Sequence, residues 1–155
     1  MATTSGRILI VDDEFSVRDS LYHWFRKDGF QVQAAENAAA ALKVLQDQRF
    51  DVILLDIKMP GMDGMELQQH IQQIDPQAAV IMITAFASVD TAVRALKQGA
   101  FDYVTKPIDP DELSHLVLRA LEQRRLREEN TQLRETIDHL VAVDEIVGES
   151  PPMRK

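Results

Sequence analysis

Five short apolar runs recur along the chain, at 8–11, 30–34, 51–55, 79–83 and 101–104, and each precedes a stretch with helical periodicity. Three of the runs are nearly continuous in Val, Ile and Leu. Strands buried on both faces of a parallel sheet read this way, whereas half-exposed strands alternate. The intervening stretches each carry one apolar stripe: Val17, Leu21, Trp24 and Phe25; then Ala38, Ala41, Leu42 and Leu45. Leu67, Ile71 and Ile74 form the third, and Val89, Ala92, Val93 and Leu96 the fourth. Gly29 and Gly99 fall where helix C-caps belong. The pattern predicts an α/β, doubly wound domain over the first 120 or so residues, with a five-stranded parallel sheet.

A fifth helix has a marked start. Asp109 can cap it, Pro110 suits the first turn, and Asp111 and Glu112 complement its dipole. No Gly or Pro follows until Gly148, which allows a helix of about 30 residues. Its first half, with Leu113, Leu116, Val117, Ala120 and Leu121, should pack on the sheet. The pattern then changes to heptads: Leu126, Leu133 and Leu140 at one core position, Asn130 and Ile137 at the other. Glu129 and Arg134 would face each other across a parallel two-stranded coil, with Asn130 fixing register. The expectation is a domain at 1–122, a coiled-coil dimerisation linker at 123–144, and the beginning of a further domain at 145–155. A lone solvated helix is the competing expectation for the linker.

The chain has 155 residues and a net charge of -8, with 10 basic and 14 acidic side chains at 1–108 and 7 and 11 at 109–155. No basic arm is hidden in that average, so direct nucleic-acid binding is not expected. The absence of cysteine excludes disulfides, thiolate metal sites and thiol nucleophiles. No apolar run is long enough to span a bilayer, and residues 1–7 do not resemble a signal peptide, so a cytoplasmic location is the default. His23, His70, His115 and His139 match no ligand spacing.

Open α/β sheets bind ligands beyond the carboxyl ends of their strands. There lie Asp12, Asp13 and Glu14 after the first run, and Asp56 with Ile57 and Lys58 after the third. Thr84 and Ala85 follow the fourth, Thr105, Lys106 and Pro107 the fifth. Clustered carboxylates repel unless a cation joins them, and oxygen ligands without His or Cys favour Mg²⁺, or Mn²⁺, over zinc. A carboxylate beside such a cation can take a phosphoryl group as an acyl phosphate, with the lysine and the hydroxyl balancing its oxygens. Helix capping accounts for Glu14 and for part of Asp12's placement, but not for Asp56 at the end of a buried strand.

Asp12-Asp13, the run from Leu54 through Asp56, Lys58, Pro60 and Gly61 to Gly64, Thr84-Ala85 and Lys106-Pro107 resemble the receiver domain of two-component response regulators. The resemblance covers 7 to about 122 and implies a flavodoxin-like sheet of order 2-1-3-4-5. It implies that a histidine kinase donates a phosphoryl group to Asp56. Asp13, Asp56 and the backbone carbonyl of Lys58 would bind Mg²⁺ directly, Asp12 through water, and Lys106 would contact the phosphoryl group. Thr84 would move toward that group and Tyr103 would swing inward, although Tyr103 also reads as an ordinary half-buried strand aromatic.

The segment from Asp109 to Leu113, the long helix, and Ile146-Val147-Gly148-Glu149-Ser150-Pro151 resemble NtrC-type regulators, in which a linker joins the receiver to an AAA+ ATPase that activates sigma-54 polymerase. The chain lacks a phosphate loop and a helix-turn-helix, so the expectation is a fragment that acts on its own missing AAA+ and DNA-binding domains. A haloacid-dehalogenase fold is opposed because the nucleophile is on the third strand and Lys58 stands two residues on, where that family needs an acid. The heptads oppose a stand-alone receiver that acts only by protein–protein binding. Thr84 and Lys106 oppose an inert dimerisation module with a dead acidic pocket.

Overall fold

All five residues of the third strand are buried, which demands layers on both sides of the sheet. The structure, a computed structural model, describes residues 6–85 and 89–147; for 128, 130–132 and 134–147 it describes the backbone alone. The strands are β1 (Arg7–Val11), β2 (Gln31–Ala35), β3 (Val52–Asp56), β4 (Ala79–Thr84) and β5 (Asp102–Thr105). The helices are α1 (Phe15–Lys27), α2 (Ala38–Asp47), α3 (Gly64–Ile74), α4 (Val89–Lys97) and α5 (Pro110–Val147). All strand pairs are parallel, in the order β2-β1-β3-β4-β5. The predicted α/β doubly wound architecture is therefore the observed one.

Alternate residues of each apolar run serve opposite cores. Leu9, Val11, Ile53, Leu55, Val80 and Met82 pack with Ala41, Leu45, Leu67 and Ile71 beneath α2 and α3. Ile8, Ile10, Val52, Leu54, Ile81 and Ile83 pack with Leu21, Phe25, Leu113 and Val117 beneath α1 and α5. Unbroken Val-Ile-Leu runs are thus two interleaved half-strands, one for each layer.

The caps follow from local chemistry. Gly29 has φ +98°, its N–H donates to Arg26 O, and Phe30 N–H donates to Phe25 O. That is a Schellman motif, closed by edge-to-face packing of Phe25 and Phe30 at 5.8 Å. It also explains why β2 begins at Gln31 rather than at Phe30 as the apolar run predicts: Phe30 belongs to the cap of α1. Asp109 Oδ1 accepts the Asp111 N–H at 3.0 Å, as expected for the start of α5.

One stripe is corrected. The buried face of α4 is Ala92 and Ala95, whereas Val93 is 39% exposed. The small residues let α4 lie close to α3, where Gln68 Nε2 donates to Ala95 O and Gln72 Nε2 donates to Gln98 O. The contact is thus partly polar, which apolar periodicity does not register.

The described residues divide into two units between Leu121 and Glu122. In the second, Arg125 pairs with Glu129 at 2.9 Å and with Glu122 at 3.9 Å, while Leu126 and Leu133 are exposed. The side chains of Asn130, Arg134, Ile137 and Leu140 and the Gly148-Glu149-Ser150 tail lie outside the described residues. No helix among the described residues is long and apolar enough to cross a membrane.

Gly64 is where packing reaches the loop after β3. Its N–H donates to Ile57 O at 2.8 Å, and a Cβ there would lie 2.7 Å from Ile57 Cα and against Asp56 O. Asp63 Oδ1 caps the same helix end by accepting the Glu66 N–H. Gly64→Ala is expected to cost about 1–3 kcal/mol through overpacking, read as a lower denaturant midpoint. An unchanged midpoint would show that the contact relaxes freely.

Candidate functional site

The register aligns the carboxyl ends of the central strands: Val11 lies opposite Leu55, Asp56 opposite Ile83, and Thr84 opposite Thr105. The ladder continues one residue further, since Ile57 N–H donates to Ile83 O and Lys106 N–H to Thr84 O. Asp12, Asp56, Thr84 and Lys106 consequently share one edge.

Asp12 is fully buried and Asp56 nearly so. Each carboxylate spends one oxygen on the loop that follows it. Asp12 Oδ1 accepts the Glu14 N–H at 2.8 Å, and Asp56 Oδ1 accepts the Lys58 N–H at 3.1 Å. The remaining oxygens face Lys106 Nζ, Asp56 Oδ2 at 3.4 Å and Asp12 Oδ2 at 3.6 Å. The shortest bond of that ammonium goes to Glu14 Oε1, at 2.6 Å. The Lys106–Pro107 peptide is cis.

Burial pushes the Asp56 carboxyl up to about 6, helped by the charge of Asp12 and opposed by Lys106 and the Lys58 N–H. Burial likewise raises Asp12, against the Glu14 N–H bond and the field of Lys106. Desolvation works against the Lys106 ammonium, but its bond to Glu14 and the charges of Asp12, Asp56 and Glu14 outweigh that and hold it above the usual lysine range. The hydrogen bond and charge of Lys106 hold Glu14 below the usual carboxylate range.

Asp12, Asp13 and Asp56 offer carboxylate oxygens within 4.8 Å of one another. Asp12 Oδ2 is buried without a hydrogen-bond partner. A donor set of hard oxygens with one orphaned carboxylate atom fits a small divalent cation, Mg²⁺ or Mn²⁺, and does not fit a soft metal.

The remaining expected residues are placed as follows. Thr84 is buried, and its hydroxyl donates to Ala85 O at 3.0 Å rather than to a carboxylate. Ala85 and Lys58 are exposed. Tyr103 is half-buried and packs on the core that also holds Met82, Ala92 and Ala95, a placement that both readings of it allow. Glu14 is the residue that sequence reasoning misassigned. It occupies the N-cap position of α1 but its side chain makes no cap bond there; it pairs with Lys106, 92 positions away, and no local signal announces such a partner.

The pattern described as "Response regulator receiver domain" matches residues 8–118. The chain belongs to that family. Receivers bind Mg²⁺ at an acidic pocket, here the cluster of Asp12, Asp13 and Asp56. Among its relatives is the regulatory protein AtoC of Escherichia coli, 42% identical over 151 residues, which are 97% of this chain and 33% of AtoC. The transcriptional regulator NtrC of Proteus hauseri is 39% identical over 150 residues, 97% of this chain and 31% of NtrC. The structure of this chain resembles the crystal structure of NtrX from Brucella abortus in complex with ATP, with TM-score 0.81 and 33% identity over 84% of this chain and 30% of NtrX. A response regulator receiver domain protein from Clostridium thermocellum gives TM-score 0.74 at 32% identity, covering 77% of this chain and 97% of that chain. The chain spans about a third of the length of the curated relatives it matches.

The raised carboxyl of Asp56 makes a stability prediction. The folded receiver keeps a proton on Asp56 up to about pH 6, while an ordinary Asp releases it near 3.8. That contribution is present below about pH 4 and lost as pH rises through 6. Without divalent metal at pH 7, Asp56→Asn should therefore be about 1–3 kcal/mol more stable than the parent. The gap should shrink toward pH 4, and Mg²⁺ should stabilise the parent more than the variant. A parent that melts above Asp56→Asn in chelator would contradict this electrostatic account.

Proposed function

We propose that the chain is the phosphorylation-controlled switch of a two-component system, accepting a phosphoryl group on Asp56 from a histidine kinase. The observation that carries this is Asp56 itself: a buried carboxylate ending a central strand, with Asp12 beside it and Lys106 Nζ 3.4 Å away. A carboxylate oxygen of Asp56 attacks phosphorus, the P–N bond of the kinase phosphohistidine breaks, and its electron pair leaves on the imidazole nitrogen. Asp13, Asp56 and the backbone carbonyl of Lys58 would hold Mg²⁺ directly, and Asp12 would act through water. When bound, Mg²⁺ offsets charge on the phosphoryl oxygens.

Lys106 contacts those oxygens. Thr84 gives up its bond to Ala85 O and turns toward them, and Tyr103 moves inward behind it. The surface formed by α4 and β5 is repacked, so that local charge capture biases an element with two packings. The chain catalyses no reaction on an external substrate; its covalent chemistry ends at Asp56.

The resemblance of the segment after Asp109 to NtrC-type regulators supports an output through a sigma-54-activating ATPase, and the likeness to the DNA-binding transcriptional regulator NtrC supports a DNA-binding domain beyond it. The heptads of Leu126, Asn130, Leu133, Ile137 and Leu140 support a receiver dimer held by a parallel coil, and the exposure of Leu126 and Leu133 agrees with it. Phosphorylation loosens or re-forms that dimer.

Intact mass after incubation with acetyl phosphate tests the chemistry. One added phosphoryl group that requires both Mg²⁺ and Asp56 is expected, with no adduct on Asp56→Asn; an adduct on that variant would place the chemistry elsewhere. Sedimentation tests the output. The dimer constant should change on phosphorylation, and Leu133→Ala should weaken the dimer about 10-fold or more. A constant that ignores both changes would remove the coil from the mechanism.

A further inference from the structure

Three carboxylates compete for the ammonium of Lys106, and the most exposed of them holds it closest. Glu14 Oε1 lies at 2.6 Å, against 3.4 Å for Asp56 Oδ2 and 3.6 Å for Asp12 Oδ2. The Glu14 side chain is 55% exposed and that of Lys106 24%, so their bond bridges the rim of the site. Asp12 Oδ1 takes the Glu14 N–H, which fixes the backbone turn from which the carboxylate reaches across. The side chain makes no cap bond to α1, so nothing in its own helix competes for it.

We propose that Glu14 is a positioning residue that competes with the phosphoryl group for Lys106. It holds Nζ at the rim while Asp56 is free and surrenders it when Asp56 is phosphorylated. This rests on the reading of Asp56 as the phosphoacceptor and adds no covalent step to it. A phosphoryl group brings charged oxygens to the inner side of the same ammonium. Glu14 and the phosphoryl oxygens then face one another across a single cation, and like charges so placed repel. The bond to Glu14 therefore stabilises the unphosphorylated arrangement and opposes the phosphorylated one. Glu14 sets how tightly the site keeps its phosphoryl group.

Trifluoroberyllate, which becomes tetrahedral when a carboxylate oxygen coordinates the beryllium and then mimics a carboxylate-bound phosphoryl group, probes this without turnover. The full 155-residue chain is titrated in Mg²⁺ and followed by fluorine NMR. Glu14→Gln should bind the anion about 2- to 10-fold more tightly than the parent. Glu14→Asp keeps the charge but is one methylene short, so it should shift affinity in the same direction. In a Lys106→Ala background the effect of Glu14→Gln should vanish, because it acts through the ammonium. Unchanged or weaker binding by Glu14→Gln would overturn the proposal. So would Glu14→Asp that matches the parent, or a Glu14→Gln effect that persists without Lys106, since both mark a general charge effect. The comparison of Gln with Asp stands without Lys106→Ala, should that variant not fold. A parent that takes neither the anion nor a phosphoryl adduct overturns the reading of Asp56 and this inference with it; a parent that takes both, with Glu14→Gln unchanged, overturns Glu14 alone.

Discussion

The contact of Lys106 Nζ with Asp12, Glu14 and Asp56 ties together the loops after β1, β3 and β5. Two of the three carboxylates are buried, and a buried charge is costly unless it is paired and hydrogen-bonded. The arrangement meets that cost in two ways. Each Asp accepts a backbone N–H two residues on, and the free oxygens share one ammonium. The compensation is partial: Asp12 Oδ2 keeps no hydrogen bond and both acids are pushed upward. Only a sheet locked from both faces can hold such a cluster in place. Interleaved Val, Ile and Leu side chains divided between two cores supply that lock.

The helices differ in how they are held, and the difference falls where the proposed switch needs it. Buried Leu21 and Phe25 anchor α1, Leu67 and Ile71 anchor α3, and Leu113 and Val117 anchor α5. The fully buried residues of α4 are both alanine. Besides the half-buried Leu96, its C-terminal end is held by polar contacts: amides of Gln68 and Gln72 on carbonyls of Ala95 and, just past the helix, Gln98. Hydrogen bonds of that kind exchange with new partners at little net cost, whereas a buried Leu or Phe gives up its apolar contacts when it moves. Gln68 Oε1 is buried without a partner, so the present packing of α4 leaves one polar group unsatisfied. An element held in this way suits repacking.

Legibility in the sequence followed the range of the interactions. Val52 to Asp56 was readable as a central strand because burial on both faces leaves an unbroken apolar run. Gly29, Gly99 and Asp109 were readable because a cap is decided within a few residues. The site was readable as a set, since parallel strands bring their carboxyl ends together whatever the packing detail. Phe30 was misread by one residue because a cap contact and a strand start both call for an apolar side chain. Val93 was misread because a stripe records apolarity, whereas the α4 face is chosen by size, with Ala92 and Ala95 admitting the α3 glutamines. Glu14 was misread because capping is a local rule and its actual partner lies 92 positions away.

The same desolvation governs both the resting site and its proposed chemistry. A carboxylate raised to about 6 is less stable as an anion here than in water. Anything that spreads or offsets its charge is therefore favoured at Asp56, and a divalent cation and a phosphoryl group each do so. The cation supplies positive charge against Asp12, Asp13 and Asp56 together. In the proposed chemistry, phosphorylation would leave the buried carboxyl uncharged and carry a larger negative charge on outer oxygens, where Lys106 and Thr84 are proposed to meet it. In the proposed switch neither residue is idle beforehand, since Thr84 is engaged with Ala85 O and Lys106 with Glu14. Capture is then an exchange of existing bonds rather than a gain of new ones. In that proposal the energy that drives the change is a difference between two sets of hydrogen bonds, and the bond of Glu14 to Lys106 belongs to the resting set.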